Sequence, residues 1–288
     1  PWNLIEAGPG TGALARTVWG ALPLLARRTL TLRLVETSPV LRDAQRALLG
    51  NLATWHASME EAFAACGGKA IVYASELLDA FPVQVLRATS SGWQELWISL
   101  KGEEEEKEEG PGIPSNGEEG REEWRNASSE LSGGVAAAST FSALSRSWPE
   151  GQRVEIAPAV RSFLLSKKSL FLRGSFLLLD YGDTIDRLYD RRPNGTVRGY
   201  AHHQRLEGAD LYANAGLVDL TADVNFTDVA AWARDAGFDP GPLETQGAFL
   251  ARHVKGARAR AAREPALAFL LDPRGAGAGF KALELKKA

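Results

Sequence analysis

The sequence predicts an α/β fold built on a mostly parallel, doubly wound β-sheet. Short apolar segments alternate with helical segments on both sides of a charged stretch, as in parallel sheets that helices cover on both faces. Residues 70–74 form a continuous apolar run, which is typical of a strand buried on both sides. A glycine-rich turn at residues 8–12 follows the first apolar segment and precedes a helical one. This order is that of a ligand-binding strand-loop-helix unit.

The elements follow one another in the order that such a sheet requires. Ser38 is a good N-cap for a helix that starts at Pro39 and presents Leu41, Ala44 and Leu48 at helical spacing. Further helices are predicted over residues 13–26 and from Met59 through Ala64. Strands are predicted to end at Glu6 and to cover residues 32–36, 53–56, 70–74, 83–88, 93–100 and 175–179, with 83–88 and 93–100 as an antiparallel pair.

The glycine-rich turn is the candidate site for a nucleoside cofactor. Gly8, Gly10 and Gly12 allow the backbone to turn sharply and to approach a ligand where a Cβ atom would collide. Glu36 follows the second strand, 24 residues after Gly12. A carboxylate in that place can accept hydrogen bonds from both ribose hydroxyls.

The cofactor itself is predicted from the charge beside the loop. Glu6 favours S-adenosylmethionine, whose amino and sulfonium groups are cationic, over a dinucleotide, whose pyrophosphate a carboxylate would repel. A nicotinamide dinucleotide stays the alternative, since Gly8, Gly10 and Ala13 also satisfy its looser glycine pattern.

A second candidate cluster follows the strand at residues 70–74. Glu76 and Asp79 are three residues apart, so that in a helical turn their carboxylates would share one face and could orient a cationic acceptor such as a guanidinium. A capped turn with one solvated carboxylate explains the same spacing. Asp180, at the end of the strand 175–179, is expected to line the same cleft, because ligands bind at the carboxyl ends of parallel strands.

Composition excludes several other classes of protein. No apolar run approaches 18 residues, so no membrane span is expected, and a single cysteine rules out a disulfide framework. His202 and His203 lack further ligands at metal-binding spacing, so no metal is expected. Eleven Glu against four Lys or Arg over residues 101–130 leave the remaining chain nearly neutral, which gives no electrostatic case for nucleic acid.

Several short blocks together resemble the MidA-like methyltransferases, a family that includes a mitochondrial protein arginine methyltransferase assisting the assembly of respiratory complex I. The resemblance extends over nearly the whole chain. It rests on residues 6–12, 34–39, 75–83, 93–95, 179–182, 219–226 and 245–250.

The resemblance implies a class I methyltransferase fold with an added substrate-binding region, and methyl transfer to an arginine of a complex I subunit. For such a reaction, Glu76 and Asp79 are the predicted catalytic residues, and Ser75, Asp180 and His203 are the predicted substrate contacts. Ser75 stands where the family commonly has Asn, and Asp223 and Asn225 stand where it often has His and Asp. The expected location is the mitochondrial matrix for a eukaryotic chain and the cytoplasm for a bacterial one.

The predicted organisation has three parts. Residues 1–100 form the cofactor-binding part, residues 101–134 a disordered acidic insertion, and residues 135–288 the remainder of the domain with the substrate-binding region. Since the sequence opens at Pro1 directly in a strand, we expect residues upstream of it, with any targeting peptide among them. Two other functions stay open: a non-catalytic assembly factor on a donor-binding fold, and a nicotinamide-dependent oxidoreductase.

Overall fold

The computed structural model describes residues 2–100, 120–128, 139–201, 204–212 and 218–288. Its strands are Trp2–Ala7 (β1), Leu30–Val35 (β2), Ala53–His56 (β3), Lys69–Ser75 (β4), Gln84–Thr89 (β5), Gly92–Leu100 (β6), Gly120–Asn126 (β7), Arg153–Ile156 (β8), Arg173–Asp183 (β9), Arg198–Ala201 (β10), Gln204–Leu206 (β11), Asp219–Thr221 (β12), Val224–Asn225 (β13), Asp239–Pro240 (β14), Glu244–Thr245 (β15) and Phe280–Lys287 (β16).

Helices lie in several of the connections between these strands. The α-helices are Ala13–Ala21 (α1), Leu24–Thr29 (α2), Pro39–Leu49 (α3), Met59–Cys66 (α4), Pro158–Leu165 (α5), Ile185–Leu188 (α6), Phe226–Asp235 (α7), Gln246–His253 (α8), Ala257–Ala261 (α9), Pro265–Leu271 (α10) and Ala276–Gly279 (α11). As predicted, α3 begins at Pro39, and the Ser38 side chain accepts a hydrogen bond from the Leu41 amide. The helix predicted over 13–26 is interrupted at Pro23, which has no amide hydrogen to continue α1 and instead precedes α2.

The chain forms two compact units. One comprises Pro1–Leu78, Val160–Gly182 and Val229–Ala288, and the other comprises Asp79–Ala159 and Asp183–Asp228. The first unit thus combines segments from both sides of the predicted insertion. The three-part division made from composition stays a prediction.

The first unit contains the predicted doubly wound sheet. Its strands lie in the order β14, β16, β9, β4, β1, β2, β3, and those from β9 to β3 are parallel. The chain moves outward from β1 to β2 and β3 and then returns to the other side of β1 with β4. Ligands of such sheets bind outside the carboxyl ends of the strands at this reversal. β16 pairs antiparallel with β9.

Apolar side chains fill both faces of this sheet. One face is covered by α1 and α3, and its buried cluster consists of Leu4, Ala15, Trp19, Leu32, Leu34, Leu49, Ala53 and Tyr73. Phe171 belongs to a second group of buried aromatic rings, with its centroid 5.2 Å from that of Phe63 and 5.3 Å from that of Phe238. Burial of apolar surface contributes about 25 cal/mol per Å² to the free energy of unfolding, so these clusters stabilise the sheet that carries the strand ends.

The second unit contains two smaller antiparallel sheets, with strand orders β7, β6, β5, β8 and β11, β10, β12. The predicted hairpin is confirmed, with Thr89 paired to Gly92 at the turn between β5 and β6. Inside this unit, the buried Glu155 carboxylate accepts hydrogen bonds from the Thr196 amide, at 2.8 Å, and from its hydroxyl, at 3.0 Å.

Strand β7 differs from the disordered insertion predicted over 101–134. Its Trp124 ring lies beneath the guanidinium groups of Arg87 and Arg153, at 4.2 and 4.9 Å, and Glu122 forms a two-bond ion pair with Arg153. The high charge of this segment predicted disorder. Composition does not show whether charged side chains meet opposite partners on other strands, so it could not predict β7. Residues 101–119 and 129–134 lie outside the described residues.

Candidate functional site

The glycine-rich loop joins the end of β1 to the start of α1. Gly8, Gly10 and Gly12 have φ angles of 67°, 52° and 83°, in the left-handed region that disfavours other residues. The Gly8 amide donates to the Val35 carbonyl at 3.1 Å, and the Gly12 amide donates to the Pro9 carbonyl at 2.8 Å. The loop is therefore held to the end of β2 and closed on itself.

The space around the three glycines differs. A Cβ atom on Gly8 would lie 2.8 Å from Leu77 Cδ1, and one on Gly12 would lie 3.2 Å from Gln45 Cγ. A Cβ atom on Gly10 would meet no described atom within 4 Å. Gly8 and Gly12 thus allow close packing within the protein, whereas the space beside Gly10 is open.

Glu36 lies directly after β2, beside the loop, because β1 and β2 pair in parallel with Ala7 opposite Val35. Its side chain is buried, with 7% exposed. Oxygen Oε1 accepts a hydrogen bond from the Ser38 amide at 2.8 Å, and Oε2 accepts one from Gln45 Nε2 at 3.4 Å. A carboxylate has about four acceptor positions, so both oxygens keep capacity for the two hydroxyls of a ribose.

Gln45 is a site residue that the sequence analysis missed. Its side chain is fully buried, and Nε2 donates to the Gly10 carbonyl at 2.7 Å as well as to Glu36. The helical stripe predicted for α3 included Ala44, but Ala44 is exposed and Gln45 points inward. Helical spacing could have predicted this orientation, because Gln45 stands four residues from both Leu41 and Leu49.

Glu6 lies within β1, with only 2% of its surface exposed. Burial raises its pKa from 4.5 to about 7, and the hydrogen bond from the Tyr73 hydroxyl, 3.0 Å long, opposes this rise. The structure therefore gives Glu6 a protein partner next to the loop. Its contact with a cofactor stays a prediction.

The segment after β4 does not form the expected helical turn. Glu76 has a φ of 53°, unusual for a residue other than glycine, and its amide donates to the Leu179 carbonyl at 2.9 Å. The left-handed backbone ends the strand sharply after Ser75. The common helical face expected for Glu76 and Asp79 is therefore wrong, because the chain turns before a helix can start.

Asp180 organises that turn. Its buried Oδ2 accepts hydrogen bonds from the Leu77 and Leu78 amides, at 3.2 and 2.8 Å, and Oδ1 accepts one from its neighbour Tyr181. The carboxylate thus supplies the backbone partners that a helix would otherwise provide. Its contact with a substrate stays a prediction.

Asp79, in the second unit, is held by the end of β12. The Thr221 hydroxyl donates to Asp79 Oδ2 at 2.8 Å, and the Ala222 amide donates to the Asp79 carbonyl at 3.1 Å. Burial raises the pKa of Asp79, and the Thr221 hydrogen bond opposes this rise. The result is a buried, oriented carboxylate that is more basic than a solvated one.

The other candidate residues have different outcomes. Asp223 forms ion pairs with Arg192 and Arg198, and Asn225 Nδ2 donates to Ser142 Oγ at 2.9 Å, so both stabilise the second unit. His203 lies outside the described residues. Among the described residues, no group of three or more His, Cys, Asp or Glu is arranged to hold a metal ion. No helix in those ranges is long and apolar enough to cross a membrane.

Comparison with known proteins gives consistent matches. A family model described as "Putative S-adenosyl-L-methionine-dependent methyltransferase" matches residues 1–242. Curated relatives named protein arginine methyltransferase NDUFAF7 or its homolog, mitochondrial, are 25% identical in Caenorhabditis elegans, 26% in Danio rerio and 27% in Drosophila melanogaster, over 86–88% of this chain. The chain spans about 57% of the length of these relatives.

A solved structure shares the fold. It is a "likely methyl transferase" from Burkholderia thailandensis bound to S-adenosyl-homocysteine, with a TM-score of 0.77 and 23% sequence identity. The alignment covers 99% of this chain and 71% of that one. The predicted class I fold, a Rossmann-like doubly wound sheet, is confirmed.

The raised pKa of Glu6 predicts how stability depends on pH. Between pH 4.5 and about 7 the folded protein retains a proton on Glu6 that the unfolded chain releases. The free energy of unfolding should therefore fall as the pH rises through this window, by about 3 kcal/mol in total from this residue. Denaturant titrations at a series of pH values measure it.

The Glu6→Gln variant should lose this contribution, whereas Glu150→Gln, at an exposed turn position, serves as the control and should retain it. An unchanged pH dependence in Glu6→Gln would show that Glu6 is not the group responsible.

Proposed function

Because the chain belongs to the S-adenosyl-L-methionine-dependent methyltransferase family whose model matches it, we propose that it transfers a methyl group from S-adenosylmethionine to an arginine of a protein. The family that the sequence resembles is thereby confirmed. The curated relatives, named protein arginine methyltransferases, support arginine as the acceptor. Since this chain spans little more than half of their length, its activity, substrate and partners are proposed.

One observation carries the donor site: at the carboxyl ends of the neighbouring strands β1 and β2, the Gly10 carbonyl and the Glu36 carboxylate both accept hydrogen bonds from Gln45 Nε2, and a Cβ atom on Gly10 would meet no described atom within 4 Å. Glu36 would hold the ribose through its two oxygens. The loop would let the donor approach the backbone, and Glu6, when ionised, would favour a cationic ligand. When bound, S-adenosylmethionine supplies an electrophilic methyl group on its sulfonium.

The chain's own contribution is mainly to position the acceptor. Asp79 offers a buried carboxylate, fixed by Thr221, that can align a guanidinium and accept the proton that methylation releases. Glu76 is the second carboxylate of this proposal, placed by its left-handed backbone at the end of β4. Ser75, Asp180 and His203 are proposed as further substrate contacts.

The protein substrate is proposed to be a subunit of respiratory complex I, as the resemblance to the MidA-like family implies. The relatives' names place them in mitochondria, which supports a matrix location for a eukaryotic chain. For a bacterial chain we propose the cytoplasm.

Calorimetric titration of S-adenosylmethionine, and separately of NAD, tests the donor assignment. We expect the protein to bind S-adenosylmethionine and not NAD. The Glu36→Ala variant should bind S-adenosylmethionine about tenfold more weakly or worse, because charge-assisted hydrogen bonds to the ribose are lost. The exposed-site variant Asp43→Asn is the control and should bind as the wild type does. Binding of NAD without S-adenosylmethionine would indicate the oxidoreductase, and binding of neither would refute the donor site.

Donor binding and methyl transfer should separate in two variants. Gly10→Val should abolish donor binding, because its side chain enters the open space beside the loop in a strained left-handed backbone. Asp79→Ala should retain donor binding and lose transfer. Calorimetry together with transfer of labelled methyl groups to complex I subunits checks both, and the reverse behaviour would remove the assignment. Donor binding by the wild type without any transfer would favour the assembly factor.

The Thr221→Val variant tests whether Asp79 acts as a base. Loss of the hydroxyl should raise the pKa of Asp79 further, so the rate of methyl transfer should begin to rise only at a higher pH. Donor affinity should be unchanged, and Thr221→Ser should restore the wild-type pH profile. A profile that does not move would contradict a role of Asp79 in proton transfer.

A further inference from the structure

A buried glutamine connects the glycine-rich loop to the Glu36 carboxylate. Gln45 lies on α3, four residues from Leu41 and from Leu49, and its side chain has no exposed surface. A buried amide is costly unless its hydrogen bonds are made. Three bonds are made here: from Nε2 to the Gly10 carbonyl and to Glu36 Oε2, and from Trp55 Nε1 to Gln45 Oε1.

Trp55 determines which way the amide points. An indole nitrogen is only a donor, so the atom that faces it, 3.0 Å away, must be the amide oxygen. The amide nitrogen then faces two acceptors, the Gly10 carbonyl at 2.7 Å and the Glu36 carboxylate at 3.4 Å. Every polar atom of the Gln45 side chain is therefore matched by a group of the opposite hydrogen-bonding type.

These bonds set the relative position of the loop and the carboxylate. The bond to Gly10 holds the loop carbonyl toward α3, and the bond to Glu36 holds one carboxylate oxygen, while Ser38 holds the other. Gln45 also packs against Gly12, where a Cβ atom would lie 3.2 Å from its Cγ. One side chain thus contacts three of the residues assigned to the donor.

From this arrangement we infer that Gln45 is a positioning residue for S-adenosylmethionine, which orients the Glu36 carboxylate toward the ribose and keeps the glycine loop at the required distance from it. Trp55 supports this role by fixing the orientation of the amide. The inference rests on the proposed function, since it concerns the same donor site.

The test compares donor affinity with stability. The probe is S-adenosylhomocysteine, titrated by calorimetry, with the unfolding temperature measured on the same samples. Gln45→Met keeps the length of the side chain and removes all three hydrogen bonds. We expect it to weaken binding about tenfold or more. Leu32→Ala, in the buried cluster of the same unit, is the control that lowers the unfolding temperature and retains the wild-type affinity.

A second variant gives a readout that loss of packing would not produce. In Gln45→Glu the protonated carboxyl can still donate one hydrogen bond, but the ionised form would face Glu36 and the Gly10 carbonyl, both acceptors. Its affinity should therefore fall as the pH rises, by about tenfold more than that of Gln45→Met over the same range. This comparison cancels the titration of Glu6, which both variants retain. The Trp55→Phe variant should also weaken the binding of S-adenosylhomocysteine, because the hydrogen bond to Gln45 Oε1 is lost.

The outcomes separate the two proposals. If the wild type binds S-adenosylhomocysteine and Gln45→Met binds it equally well, the inference about Gln45 is wrong and the donor site stands. An affinity of Gln45→Glu that follows that of Gln45→Met at every pH would also overturn it. If the wild type binds neither S-adenosylhomocysteine nor S-adenosylmethionine, the proposed function fails and the inference fails with it.

Discussion

The parallel pairing of β1 with β2 on one side and β4 on the other is the constraint on which the candidate site depends. It brings the ends of three strands to one edge of the sheet, although these ends lie far apart in the sequence. The glycine loop, Glu36 and Glu76 follow those three ends. The apolar cluster under α1 and α3 stabilises the pairing of these strands.

Buried carboxylates near this edge and in the second unit are stabilised in different ways, and the differences indicate different roles. Asp180 accepts several backbone amide hydrogen bonds and replaces a helical turn. Glu36 accepts one hydrogen bond on each oxygen and keeps capacity for a ligand. Glu6 is bound by a tyrosine hydroxyl, and Asp79 by a threonine hydroxyl, and burial raises the pKa of both. In both residues the cost of burying the charge outweighs the hydrogen bonds that favour the ionised form.

Much of the fold and of the candidate site could be predicted from the sequence. The features that could not be predicted depend on contacts with segments elsewhere in the chain. The strands around the glycine loop, the Ser38 cap and the hairpin between β5 and β6 were predicted, since they depend on short-range patterns of apolar residues, caps and turns. The helical turn at Glu76 was wrong, because three-residue spacing does not report backbone conformation and Leu179 provides the decisive hydrogen bond. Strand β7 was missed because Glu122 and Trp124 meet their partners, Arg153 and Arg87, on other strands.

The sequence by itself determined the family, the doubly wound sheet and the positions of the glycine loop and Glu36, because those follow from local spacing in a regular strand-loop-helix unit. Only the tertiary structure decided the partners of the buried polar groups. Gln45 meets Gly10 and Trp55, Glu6 meets Tyr73, and Asp79 meets Thr221 across separations of 10 to 142 residues. The physical reason is that a buried polar side chain must bond to whatever donor or acceptor the packed elements bring within reach, and that neighbour is set by the fold.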